Sequence, residues 1–236
     1  MRLDLYVAKH FNIQSRNKAH ELIKNSKVKI GDKIITKPSY KVEDGDKITL
    51  LEEDFYVSRA AYKLKYFLEE IDLNIDGLNA LDIGSSTGGF TQILLNNNIK
   101  HISCVDVGSN QLHEKIKHNE KISMYENTDI RDFKSTQIFD LVTCDVSFIS
   151  IHNILDDINR LASKHIIILF KPQFEVGKEC KRDRSGVVQD QKAIQDAQSY
   201  FIQQTAKLDW QLLHKAYSKL EGKEGNREEL YYFCKK

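Results

Sequence analysis

Three polar side chains stand where runs of apolar residues stop. Asp145 follows Val142-Thr143-Cys144, and Lys171 follows Ile166 to Phe170 and precedes Pro172. Glu228 lies in Gly225-Asn226-Arg227-Glu228, just before Leu230-Tyr231-Tyr232-Phe233. In an open α/β sheet, ligands bind beyond the carboxyl ends of the strands, so all three are candidates for chemistry. Lys63, in Ser58-Arg59-Ala60-Ala61-Tyr62-Lys63-Leu64, adds a second lysine on an opening helical pattern. One lysine at a strand end is also how an ordinary surface charge looks. A lysine capping five apolar residues is less easily explained that way.

A second constellation is Leu81-Asp82-Ile83-Gly84-Ser85-Ser86-Thr87-Gly88-Gly89-Phe90-Thr91, a strand, a glycine-rich turn and a helix start. Glycines let backbone approach a ligand closely, and the helix start supplies unpaired N–H groups. The spacing is G-x-x-x-G-G, not the G-x-G-x-x-G of dinucleotide sites, and no lysine follows as a Walker loop requires. Asp82, just before the turn, disfavours a phosphate and suits a cationic amino-acid group. S-adenosylmethionine carries an ammonium and a sulfonium and no phosphate, so it fits. Gly84, Ser85, Ser86, Gly88, Gly89 and Phe90 are the expected loop contacts, with Asp145 beside them. Asp106 ends the next strand and can accept from ribose hydroxyls, or act as a plain turn residue. Asp129, after Met124-Tyr125, can accept from an adenine amino group, or again be a turn residue.

The elements that must hold these residues fall into two patterns. Over residues 1–51, Leu3, Val7, Ala8 and Phe11 recur at helical spacing, as do Ala19, Leu22 and Ile23 after Ser15 as N-cap. Val28-Lys29-Ile30, the Gly31-Asp32 turn and Lys33-Ile34-Ile35 predict a hairpin, and Lys47 to Leu51 a last strand. This small α+β unit is basic: the first fifty residues hold 11 Lys/Arg against 6 Asp/Glu, whereas the whole chain is at +1. Arg2, Lys9, Arg16, Lys18, Lys24, Lys27 and Lys29 form a candidate phosphate-contacting face, or a merely solvated one. Residues 52–57 predict a short, ordered linker. From residue 58 to 236, helices alternate with apolar strands at 80–83, 102–106, 139–144 and 165–170, which predicts a parallel sheet covered on both faces.

Composition narrows the classes. The chain has 236 residues, 41% hydrophobic and 29% charged, with mean hydropathy −0.47. No run of about 18 apolar residues occurs, so no membrane span is expected, and no signal-peptide core follows Met1. Cys104, Cys144, Cys180 and Cys234 lie far apart, which predicts reduced thiols in a cytoplasmic protein, with no metal. None adjoins a proline as a cytosine-C5 nucleophile would, and no Pro-Pro strand end for amino methylation exists.

Two resemblances follow from these motifs. Arg2-Leu3-Asp4, Ser15-Arg16-x-x-Ala19-x-x-Leu22-Ile23, Val28-x-Ile30, Pro38-Ser39 and Val42-x-x-Gly45-Asp46-x-Ile48 resemble the αL-type RNA-binding module. That module implies recognition of structured RNA by shape and phosphate. Ser58 to Leu64, Asp145-Val146-Ser147-Phe148-Ile149-Ser150, Lys171-Pro172-Gln173-Phe174-Glu175 and Gly225-Asn226-x-Glu228 resemble the FtsJ-type ribose 2′-O-methyltransferases. In this order and combination they are similar to the TlyA, or hemolysin A, family. The resemblance implies an α/β fold: a Rossmann-like S-adenosylmethionine methyltransferase sheet with a small N-terminal α+β RNA-binding domain. It further implies catalytic Lys63, Asp145, Lys171 and Glu228 and a cytidine ribose in rRNA or a ribosomal subunit as substrate. DNA, which lacks the 2′ hydroxyl, is not expected as a partner. Glu229 adjoins Glu228 and leaves a one-place ambiguity, although alternation puts only one of them at the site.

A ribose hydroxyl needs a base to take its proton as it meets the methyl group. A lysine can serve only well below its free value of about 10.4, and burial beside a second cation lowers it. Lys171 is the expected base and Lys63 the second cation. Members of the family this chain resembles differ in terminal extensions that accompany substrate range, and by that resemblance the short termini imply large-subunit rRNA rather than both subunits. A non-catalytic ribosome-assembly factor and a membrane-lytic protein are the alternatives. Tyr62, Phe90, Phe148 and Phe174 are either stacking platforms or core, and the basic loop 178–186 reads as a mobile flap.

Overall fold

The computed structural model describes residues 1–11, 13, 15–51 and 56–236. The chain divides into two compact units, Met1–Phe55 and Tyr56–Lys236. In the first, helices α1 (Leu3–His10) and α2 (Arg16–Lys24) precede a small sheet of β1 (Val28–Ile30), β2 (Lys33–Ile34) and β3 (Ile48–Leu50). The strands run antiparallel in the order β2-β1-β3. Ser15 caps α2 as its sequence position predicts, accepting from the Lys18 N–H at 3.2 Å. Leu3, Val7, Ala19, Leu22, Ile23 and Val28 close a core between helices and sheet.

Two of the candidate basic residues, Arg2 and Arg16, converge on one buried acid. Asp4 accepts from Arg2 Nε and Nη2 at 3.1 and 2.9 Å and from Arg16 Nε at 3.0 Å. The Arg2 hydrogen bond, with Arg16 behind it, holds the Asp4 carboxyl down at about 2. Lys9 and Lys24 are exposed, while Lys18, Lys27 and Lys29 are half-buried.

The second unit opens with α3 (Arg59–Ile71), β4 (Asn79–Ile83) and α4 (Gly89–Asn96). It continues through β5 (His101–Val105), α5 (Glu114–Lys117), β6 (Ile122–Tyr125), β7 (Phe139–Cys144) and α6 (Leu155–Leu161). The chain ends with β8 (Ala162–Phe170), α7 (Pro172–Glu175), α8 (Gln191–Lys207), β9 (Trp210–Tyr217) and β10 (Glu229–Lys235). The sheet order is β6-β5-β4-β7-β8-β10-β9. Strands β4 to β8 are parallel as expected, but β10 inserts antiparallel between β8 and β9, so the sheet is mixed. Both faces are covered. Alternate strand residues Leu81, Val142, Ile166 and Ile168 pack under α6 and α8, and Ala80, Ile102, Leu141 and Ile167 under α3 and α4.

Three sequence expectations change in detail. Residues 52–55 of the expected linker lie outside the described residues. Tyr56 and Val57, at its end, are buried in the second unit, where the Val57 N–H donates to Gln92 Oε1 at 2.7 Å. Strand β9 had no counterpart in the sequence reading, because as an edge strand it alternates buried and open positions and carries Gln211, His214 and Lys215. The loop 178–186, read from sequence as a flap, is tied by Arg182 to its own backbone and to that of Gln173. Arg182 donates to the carbonyls of Lys178, Cys180 and Gln173 at 3.1, 3.0 and 3.3 Å.

The lowered Asp4 carboxyl stabilises the first unit above the unfolded carboxylate range near pH 4, and this contribution is lost as pH falls toward about 2. Replacing Asp4→Asn should lower the melting temperature at pH 7 and flatten its dependence between pH 4 and 2, measured by circular dichroism.

Candidate active site

The carboxyl ends of β4, β5, β7 and β8 converge on a cleft made of two adjoining cavities. Asp145 follows β7, Lys171 follows β8 as the residue before α7, and Glu228 immediately precedes β10. Lys63 reaches in from the second turn of α3. The Lys171 ammonium pairs with Asp145 and donates to Ser147 Oγ at 2.8 Å. Lys63 pairs with Glu228, whose other oxygen accepts from Gln173 Nε2 at 3.3 Å. All four side chains are largely buried. Burial pushes the Asp145 carboxyl up, and Lys171, then Lys63, pull it back down while Glu228 raises it. The Asp145 carboxyl is therefore within electrostatic reach of the other three groups.

The two adjacent glutamates meet different partners. Glu228 faces Lys63, whereas Glu229 points to the other side, accepting from Gln198 Nε2 at 2.8 Å and from the Tyr231 hydroxyl.

The glycine turn shapes the cleft from β4. Gly84 has φ +74°, and a Cβ there would lie 2.8 Å from the Asp145 carbonyl oxygen, so only glycine lets β4 and β7 close at this point. One cavity, about 330 Å³, is lined by Asp106, Asp129 and apolar side chains that include Val105, Val107, Ile130 and Ile154. The other, about 400 Å³, is lined by Ser85, Gly89, Phe90, Lys63 and Lys171. Gly84, Ser86, Asp145 and Ser147 line both. Asp106 is fixed by the N–H groups of Ser86 and Gly108, at 2.8 and 2.7 Å. Asp129 is in the cavity wall, but Arg131 engages both its oxygens, at 2.9 and 2.6 Å.

Two expected loop contacts stand elsewhere. Asp82 does not reach the cleft: it is fully buried beneath the turn, accepting from Thr91 and Thr143 hydroxyls at 2.6 and 2.9 Å. Its carboxyl ties β4 to α4 and β7, and the ammonium-binding role expected of it is corrected to a positioning one. Gly88 faces Leu112 and Ile116, where any Cβ would collide, and so serves packing. The sequence reading missed Val107, Gln111, Thr128 and Ser147. Only Ser147 carried a signal, its place two residues after Asp145.

Of the four aromatic candidates, Phe148 alone is presented to solvent, at 93% exposure with φ +66°. Its ring lies 5.3 Å from that of Phe174. Phe90 is buried, and Tyr62 packs edge-on against Tyr56 at 4.8 Å.

Comparison with known proteins agrees with this geometry. Residues 56–236 match the FtsJ-like methyltransferase family and residues 1–48 the S4 domain. The chain is 51% identical to the 23S rRNA (cytidine-2′-O)-methyltransferase TlyA of Campylobacter jejuni, across the full length of both. The chain belongs to the TlyA family of FtsJ-like methyltransferases. It is 34% identical to the 16S/23S rRNA (cytidine-2′-O)-methyltransferase TlyA of Mycobacterium tuberculosis, over 96% of this chain and 87% of that one. Its fold matches Synechocystis magnesium protoporphyrin IX methyltransferase with bound SAH at TM-score 0.53 and 11% identity, over 75% and 82% of the two chains.

The methyl donor of this TlyA-family chain is S-adenosylmethionine, and the residues present fit it. The apolar cavity with the fixed Asp106 carboxylate suits an adenosine, whose hydroxyls Asp106 can accept from. The polar cavity beyond Gly84 and Ser86 suits a charged amino-acid end. Among the described residues, no helix is long and apolar enough to cross a membrane.

Burial beneath the turn raises the Asp82 carboxyl to about 6, against the pull of the Thr91 and Thr143 hydroxyls. The fold therefore favours its protonated form, and stability from this group is lost as pH rises from about 4 through 6. Asp82→Asn should gain on the wild type by about 2–3 kcal/mol between pH 4 and pH 7, read from urea unfolding at each pH.

Proposed function

We propose that this protein methylates the 2′ hydroxyl of a cytidine ribose in ribosomal RNA, that of the large subunit, with Lys171 as general base. The observation that carries the reading is that Lys63, Lys171 and Asp145 line one cavity beside the glycine turn, with Lys171 paired to Asp145 and Lys63 to the buried Glu228. S-adenosylmethionine supplies an electrophilic methyl group on a sulfonium when bound. Lys171 Nζ, as the free amine, takes the proton of the ribose hydroxyl, and Asp145 and Ser147 aim that nitrogen. The Lys63 ammonium, held by Glu228, stabilises the negative charge that develops on the oxygen. Loss of water from the largely buried cluster strengthens both effects.

The RNA assignment draws on the match of residues 1–48 to the S4 domain and on the basic residues Arg2, Lys9, Arg16, Lys18, Lys24, Lys27 and Lys29. Phe148, exposed beside Asp145, offers a stacking surface for the base of the target nucleotide. The large subunit is chosen because the relative at 51% identity is named for 23S rRNA. This reading places the protein in the cytoplasm, with ribosomes or their precursors.

Lys171→Ala should reduce methylation of unmodified 23S rRNA by about 10²- to 10⁴-fold, measured with labelled donor, while the affinity for S-adenosylhomocysteine stays unchanged. Near-normal transfer by that variant would remove Lys171 as the base. No transfer by the wild type, with RNA still bound, would favour the assembly-factor alternative. Glu228→Gln should lower kcat by about tenfold or more, whereas Glu229→Gln should act on stability, since Glu229 faces Gln198 and Tyr231.

A further inference from the structure

Two cations in the catalytic cavity take no part in the proton transfer. Arg59 and Lys223 line the same cavity as Lys63 and Lys171. Both are exposed, and among the described residues neither forms an ion pair. The Arg59 guanidinium meets a neutral group, donating to the Glu221 carbonyl at 3.2 Å.

Their placement is tied to the catalytic pair. Arg59 lies four residues before Lys63 on α3, so the two share a helix face. Lys223 sits in the turn 221–226, which is closed by Gly222 N–H to the Asn226 carbonyl at 2.8 Å and by Gly225 N–H to the Gly222 carbonyl at 3.0 Å. Asn226 is buried, accepts from the Val188 N–H at 3.0 Å, and stands two residues before Glu228. The two elements joined by the Lys63–Glu228 pair thus also carry Arg59 and Lys223, and the Arg59–Glu221 contact joins them again.

The charge balance of the cavity is uneven. Lys63 and Lys171 are each matched by a carboxylate, which leaves Arg59 and Lys223 against Glu221 alone. A net positive wall facing the reacting group concentrates an anion there. In RNA, a phosphate is bonded to the carbon next to the one bearing the 2′ hydroxyl. A ribose presented to Lys171 therefore carries its own phosphate into the reach of this wall.

We infer that Arg59 and Lys223 are a phosphate clamp for the nucleotide being methylated, holding the backbone beside the target ribose. The inference rests on the reading that a ribose hydroxyl stands at Lys171. The donor's carboxylate is the other anion that can enter the cavity, and the experiment separates the two.

The test uses the full-length chain, unmodified 23S rRNA and labelled donor, with Arg59→Gln, Lys223→Ala and the double variant. KM for RNA should rise about fivefold per cation removed at about 0.15 M salt, with kcat at saturating RNA unchanged. The slope of log KM against log salt should flatten by about 0.7–0.9 for each cation removed. Affinity for S-adenosylhomocysteine, measured by calorimetry without RNA, should not change. A loss of that affinity would assign the cations to the donor's carboxylate and overturn the clamp, as would an unaltered salt slope. Among the described residues Lys223 has no hydrogen-bond or ion-pair partner, so Lys223→Ala guards against a folding defect from Arg59→Gln. Failure of the ribose reading is told apart because wild-type protein would then leave no 2′-O-methyl group in the RNA.

Discussion

Two ammonium groups share one largely buried cluster only because each has a carboxylate pressed against it. Removing two like charges from water is costly, and a buried charge without a partner costs several kcal/mol more. Lys171 with Asp145 and Lys63 with Glu228 meet that condition using residues from four different elements. The sheet order follows from the same need. Strands β7 and β8 deliver Asp145 and Lys171 side by side, and the reversed β10 brings Glu228 to the same end of the sheet from the opposite direction.

Around that cluster the fold separates functions that a single loop could otherwise confuse. Asp82 bonds with Thr91 and Thr143 and keeps the turn in place from below, while Asp106 meets the cavity from the neighbouring strand. Gly84 allows β4 and β7 to approach closely enough that Asp145 borders both cavities. Glu175 adds a brace on the far side, accepting from Ser150 Oγ at 2.7 Å and the Ile151 N–H at 2.9 Å. The segment bearing Asp145 and Ser147 is thereby held to the turn that begins at Lys171.

Much of the layout was readable from local pattern. Strands buried on both faces are continuous apolar runs, so β4, β5, β7 and β8 stood out, as did the polar residue that ends each useful one. The N-cap of α2 was likewise local, a serine three residues ahead of the N–H it accepts from. Edge strand β9 was not readable, because half its side chains face solvent and its hydrogen bonds depend on β10, about twenty residues away. Asp82 was misplaced for a related reason: its hydroxyl partners are nine and sixty-one residues distant.

Order along the chain determined which residue types end which strands, and with them the methyltransferase character of the second unit. Tertiary structure alone decided which lysine meets which carboxylate, that Glu228 rather than Glu229 faces Lys63, and that Asp82 lies beneath the cleft instead of in it. The reason is physical. Periodicity reports which side of an element is apolar, whereas an ion pair or a buried hydrogen bond is set by distances between elements that only packing brings together.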